Sequence, residues 1–126
     1  MKGATRLILI LGDQLDLQSA ALRHCRRETD EVIMIESANE ASYVWSHKTK
    51  IALFLSAMRH FAKALEDQKY PLIYIKESTL SIVEVLREQI LQKKISHLIC
   101  VEPGEWRLRK ALEALAAELN VELEIL

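Results

Sequence analysis

Leu7-Ile8-Leu9-Ile10-Leu11-Gly12-Asp13-Gln14 is an unbroken aliphatic run that ends on a glycine, a carboxylate and an amide. Apolar residues at consecutive positions, rather than alternate ones, predict a strand covered on both faces, which is the setting of a parallel sheet under helices. Val32-Ile33-Met34-Ile35, Leu72-Ile73-Tyr74-Ile75 and His97-Leu98-Ile99-Cys100-Val101 have the same character. The last run, Val121-Glu122-Leu123-Glu124-Ile125, alternates apolar with acidic residues and so predicts a strand with one wet face, at a sheet edge.

Between these runs the apolar period changes to that of helices. From Lys50 to Gln68, Ile51, Phe54, Leu55, Met58, Phe61, Ala62 and Leu65 form one stripe, which Tyr70-Pro71 terminates. From Leu80 to Lys94 the stripe is Val83, Leu86, Ile90 and Leu91, with Ser81 and Glu84 at capping-box spacing and Lys93-Lys94 suited to the negative end of the helix dipole. From Glu105 to Leu119 it is Leu108, Leu112, Leu115, Ala116 and Leu119. A weaker helix is expected over 17–26, with Asp16 as its cap and the basic Arg23-His24-Cys25-Arg26-Arg27 as a solvated last turn. Strands alternating with helices predict an α/β fold: an open, five-stranded parallel sheet with helices on both faces.

Composition limits what such a sheet does. The 126 residues fit one domain, and half of them are hydrophobic, enough for an aliphatic core. Lys and Arg number 17 against 18 Asp and Glu, so the isolated chain lacks the excess of cations on which polyanion binding depends. No apolar run approaches the roughly 20 residues of a membrane span, and the start of the chain is too short in apolar residues for an export signal. Cys25 and Cys100 are too few and too far apart for a disulfide framework or a metal site, which makes a reducing cytoplasm the simplest compartment.

In open parallel sheets ligands bind at the carboxyl ends of the strands, where the strand order reverses. After the first strand, Gly12-Asp13-Gln14-Leu15 is neither a dinucleotide fingerprint nor a P-loop. A glycine, a carboxylate and an amide suit hydrogen bonding to a neutral polar ligand; equally, Gly12 can make the turn and Asp13 or Asp16 cap a helix. After the second strand a long connection carries Tyr43, Trp45 and His47 in a chain that is only 6% aromatic. Rings with polar handles suit a flat heterocycle, or they cover the edge of the sheet. After the fourth strand, Pro103-Gly104 turns the chain so that Glu102 lies at a strand tip and Trp106 in the first turn of the last helix. Asp13, Glu36, Glu102 and His47 are titratable groups near these ends, but no nucleophile elbow, zinc-protease helix, C-x-x-C or kinase set accompanies them.

Taken together, Leu9-Ile10-Leu11-Gly12-Asp13-Gln14-Leu15, Glu40-Ala41-Ser42-Tyr43, His47-Lys48-Thr49-Lys50-Ile51-Ala52, Ser56-Ala57-Met58-Arg59-His60-Phe61-Ala62 and Glu102-Pro103-Gly104-Glu105-Trp106-Arg107 resemble the N-terminal domain of the photolyase-related proteins. That group comprises the iron–sulfur bacterial cryptochromes and (6-4) photolyases, and the motifs occur here in matching order. The resemblance implies a Rossmann-like three-layer sandwich with strand order 3-2-1-4-5. It implies an antenna chromophore, 6,7-dimethyl-8-ribityllumazine, in a pocket lined by Gly12, Asp13, Gln14, Glu36, Tyr43, His47, Ile51, Glu102 and Trp106. It further implies a C-terminal helical region, beyond Leu126, that binds FAD, an iron–sulfur cluster and DNA.

On this reading the chain is one antenna domain, 1–126, of a longer protein that repairs DNA or senses blue light, and is not catalytic by itself. The helix from Lys50 to Gln68, with Arg59 and His60, then faces the C-terminal domain. The competing reading is a stand-alone nucleotide-binding α/β module that uses the same strand-end crevice. A hydrolase built on Asp13, Glu102 and His47 is a third.

Overall fold

Every strand of the sheet runs parallel to its neighbours, in the order β3-β2-β1-β4-β5. The strands are β1 (Arg6–Leu9), β2 (Asp30–Ser37), β3 (Leu72–Ser78), β4 (His97–Cys100) and β5 (Glu122–Ile125). The helices are α1 (Ala20–Arg23), α2 (Lys48–Asp67), α3 (Ile82–Lys93) and α4 (Trp106–Leu119). This computed structural model describes residues 6–11, 14–23, 25–26, 29–37, 48–78, 80–104 and 106–126, apart from the side chains of 37, 48–54 and 77–78.

The unbroken apolar runs are explained by the two cores they feed. Leu7, Leu9, Leu11, Ile33, Ile35, Leu98 and Cys100 point to one face, where α3 and α4 cover them with Val85, Leu86, Ile90, Leu112 and Leu115. Ile8, Ile10, Val32, Met34 and Ile99 point to the other, under Ala21 and Leu22 of α1 and Met58, Phe61, Ala62 and Leu65 of α2. Successive residues of a strand face opposite ways, so a strand covered on both sides has no position left for a polar side chain. Each fully buried Leu or Ile contributes on the order of 1.5–3 kcal/mol. The alternating run is indeed the edge strand, with Glu122 and Glu124 exposed and Leu123 and Ile125 half-buried.

Helix ends follow the local chemistry. Ser81 caps α3 in a full capping box: its Oγ accepts the Glu84 N–H at 3.2 Å, and the Glu84 carboxylate accepts the Ser81 N–H at 3.0 Å. Lys94 closes the same helix at φ 55°, and Asn120 follows α4 at φ 57°, in the left-handed conformation that ends helices. The first helix departs from expectation. It covers only Ala20–Arg23, and its start is held by Ser19, whose Oγ accepts the Leu22 N–H at 3.2 Å. Asp16 instead accepts the Gln18 N–H at 2.9 Å, a local bond that makes a turn where a helix was expected.

Two features set up the two ends of the sheet. At the amino end, buried Asp30 accepts the Arg26 N–H at 2.9 Å and the Thr29 hydroxyl at 3.1 Å, with Arg6 at 3.6 Å. At the carboxyl end the β2–β3 register slips: Ile35 pairs with Ile75 but Ser37 with Ser78, so Lys76 and Glu77 stand opposite Glu36 alone. Bulges of this kind re-aim side chains next to sites.

Candidate functional site

The order 3-2-1-4-5 puts its reversal between β1 and β4, and a side chain bridges that crevice. Gln14 follows β1 in a tight turn, its N–H donated to the Leu11 carbonyl at 2.9 Å. Its side-chain Nε2 then donates across to the Glu102 carbonyl at 2.9 Å and lies 3.4 Å from the Val101 carbonyl, beyond β4. With the amide nitrogen so committed, Gln14 Oε1 is buried and has no partner among the described residues. A buried acceptor without a donor costs about 1–3 kcal/mol, so an O–H or N–H group brought to this oxygen would be favoured there.

Across the crevice, Glu102 is exposed and ion-paired with Arg109 of α4, which also reaches Glu113 at 3.4 Å. These two carboxylates hold the Arg109 guanidinium above its ordinary pKa, the hydrogen bond it donates to Glu102 most of all. Pro103 is buried and seats the turn. The Trp106 indole stands 66% exposed at the start of α4, with Lys110 Nζ 5.0 Å from the ring centroid. Cys100 ends β4 beneath this group. Burial, and then the charge of Glu102, push its thiol pKa up to about 11, so it is a protonated core residue and not a nucleophile.

Glu36, on β2, lies on the α2 side of the sheet, two and four residues beyond Met34 and Val32 of that core. Its carboxylate is buried and heavily engaged. Oε2 accepts from Arg59 Nε at 2.7 Å and from the Tyr74 hydroxyl at 2.5 Å, and Oε1 accepts from Arg59 Nη2 at 2.9 Å. Burial first, then the bond to Glu36, holds the Tyr74 phenol well above the usual tyrosine range. The same carboxylate raises the Arg59 guanidinium further.

Gln14 and Glu102 therefore meet across the crevice, Trp106 opens the helix that follows, and Glu36 stands at the adjacent strand end inside a polar cluster. Ile51 lies in the first turn of α2. Gly12, Asp13, Tyr43 and His47 fall outside the described residues. Arg59 and Tyr74, as partners of Glu36, were not legible in the sequence as a site. The available signal was a carboxylate at the buried end of an aliphatic strand, which requires a cation, with Arg59 beside the apolar stripe of its helix.

The arrangement suits a neutral ligand with several hydrogen-bond donors better than a polyphosphate. The arginine at the crevice rim, Arg109, is already neutralised by Glu102 and Glu113. Among the described residues no cluster of His, Cys, Asp and Glu has the make-up of a metal site, and no helix is long and apolar enough to cross a membrane.

A family model described as deoxyribodipyrimidine photo-lyase-related protein matches residues 8–126. A curated (6-4) photolyase of Agrobacterium fabrum is 36% identical over 125 residues, covering 96% of this chain and 25% of that protein. The chain thus spans about a quarter of the length of that relative.

Proposed function

The chain belongs to the deoxyribodipyrimidine photo-lyase-related family, and on that premise we propose that it is the antenna domain of a larger cytoplasmic light-driven protein, binding 6,7-dimethyl-8-ribityllumazine. The observation that carries the reading is Gln14 Oε1, a buried acceptor with no donor among the described residues, at the crevice where the strand order reverses. A ribityl chain is an uncharged string of hydroxyl donors, which is the chemistry that oxygen lacks.

Gln14 and Glu102 would hold the ribityl hydroxyls, with Gly12 and Asp13 beside them. Trp106, Tyr43, His47 and Ile51 would pack against the ring system, and Glu36 would close the wall at the end of β2. Removing water from around the ring keeps it rigid, and the hydrogen bonds fix its direction. When bound, the lumazine absorbs near-ultraviolet or blue light and passes excitation energy to a flavin. We assign FAD, an iron–sulfur cluster and DNA contact to a helical C-terminal region, so that DNA repair or light sensing belongs to the whole protein. The exposed Arg59, His60 and Lys63 of α2, which border a surface hollow with Leu55 and Ser56, are the face we assign to that region.

The test is titration of the purified chain with the lumazine. Binding with a change in its fluorescence supports the reading, and Gln14→Leu, which removes the acceptor, should weaken binding about tenfold, the scale of one lost buried hydrogen bond. An unchanged spectrum at saturating lumazine, with calorimetric binding of ATP instead, would overturn it in favour of a nucleotide module.

A further inference from the structure

The Glu36 cluster does something the chromophore reading does not require of it. A buried carboxylate is costly unless paired, and a well-packed apolar substitute is commonly as stable as the pair. What the pair supplies in addition is geometry. Arg59 meets Glu36 through two parallel N–H···O bonds, at 2.7 and 2.9 Å, and this planar fork constrains both the distance and the rotation of the helix that carries it. Tyr74 fixes the carboxylate from the β3 side at 2.5 Å, and the register slip at Glu36 places this contact at the carboxyl end of the sheet.

Three elements therefore meet at one carboxylate: β2, β3 and the middle of α2. Ile51 lies in the same helix, two turns before Arg59, about 12 Å at 1.5 Å per residue. Over that length a helix moves as a rod. We propose that Arg59 and Tyr74 are positioning residues that act through Glu36 to set the rotation and depth of the first half of α2, and thereby the wall it gives to the chromophore pocket. The pocket itself rests on the reading above; the clamp on α2 does not.

Two variants that keep the fold intact test this: Tyr74→Phe, which removes one hydroxyl, and Arg59→Lys, which keeps the charge and loses the fork. Glu66→Gln, exposed on the same helix, is the control. In the ligand-free protein, amide exchange over 48–58 should rise about tenfold in both variants, the scale of one charge-assisted hydrogen bond, while β1 and β4 stay as protected as in the parent. With lumazine, both should bind about tenfold more weakly and shift the emission of the bound ring, which a general loss of stability would not do. Unchanged exchange over 48–58, or an increase spread over the whole sheet, overturns the clamp. Weaker exchange protection with unaltered lumazine affinity and emission overturns its role in the pocket. If the parent binds no lumazine, the antenna reading fails, and the exchange data still decide the clamp.

Discussion

At the scale of single residues, the molecule keeps its unusual chemistry in the cluster around Glu36. The Tyr74 phenol is raised above its ordinary value, so in strong base unfolded chains release this proton before folded ones do. The sign follows: the stabilisation is complete below the unfolded tyrosine value and is lost as pH rises through the folded one. From about pH 10 upward the urea midpoint of the parent should therefore fall, and Tyr74→Phe should fall less over the same range. Equal slopes in the two proteins would mean that the phenol is not held by Glu36. None of this could be read from the sequence, because Glu36 meets Arg59 and Tyr74 across 23 and 38 residues. The local chain around Glu36 reads only as the end of a strand. The place of Gln14 at the crevice was legible for the opposite reason: it comes a few residues after the first strand, where the fold rule says to look.

Among the elements, the strands and the three long helices were legible because each is defined by a period that burial on this sheet demands. Leu86 and Ile90, or Met58, Ala62 and Leu65, recur at helical spacing since only that spacing keeps them against the strands, whereas Leu91, expected in the same stripe as Leu86 and Ile90, is 61% exposed and Val85 is buried in its place. The short helix was not legible to its ends, since Asp16 and Ser19 bind backbone N–H groups locally and so decide where the helix begins. Capping is also where an element can be tested. Ser81→Ala removes the acceptor for the Glu84 N–H and should cost about 1 kcal/mol in a urea titration at neutral pH. Its bonds to Ser81 hold the Glu84 carboxyl below its usual range, so the contribution of the box is present above the ordinary carboxylate value and fades as pH falls. A parent and variant that differ equally at neutral pH and in strong acid would show that the box is not what Ser81 supplies.

For the whole molecule, the near balance of 17 basic and 18 acidic side chains leaves no excess of cations for gripping a polyanion such as DNA, as the antenna reading proposed above requires. Family membership is shown over residues 8–126, and the chain spans 25% of the length of the relative it matches. The strand order also has a consequence in time. β1 is the first strand made, yet it lies at the centre of the sheet and needs both β2 and β4 beside it. Gln14 likewise reaches its partners only after 87 and 88 further residues exist. Contacts that distant in sequence slow folding, so refolding from urea should take milliseconds to seconds rather than microseconds. A dominant microsecond phase recovering the full signal would contradict it. On a ribosome the N-terminal strand must then wait, half-paired, until His97–Cys100 has emerged. The crevice between β1 and β4 is accordingly among the last parts of the fold to exist, and no ligand can be captured there while the chain is still short of its fourth strand.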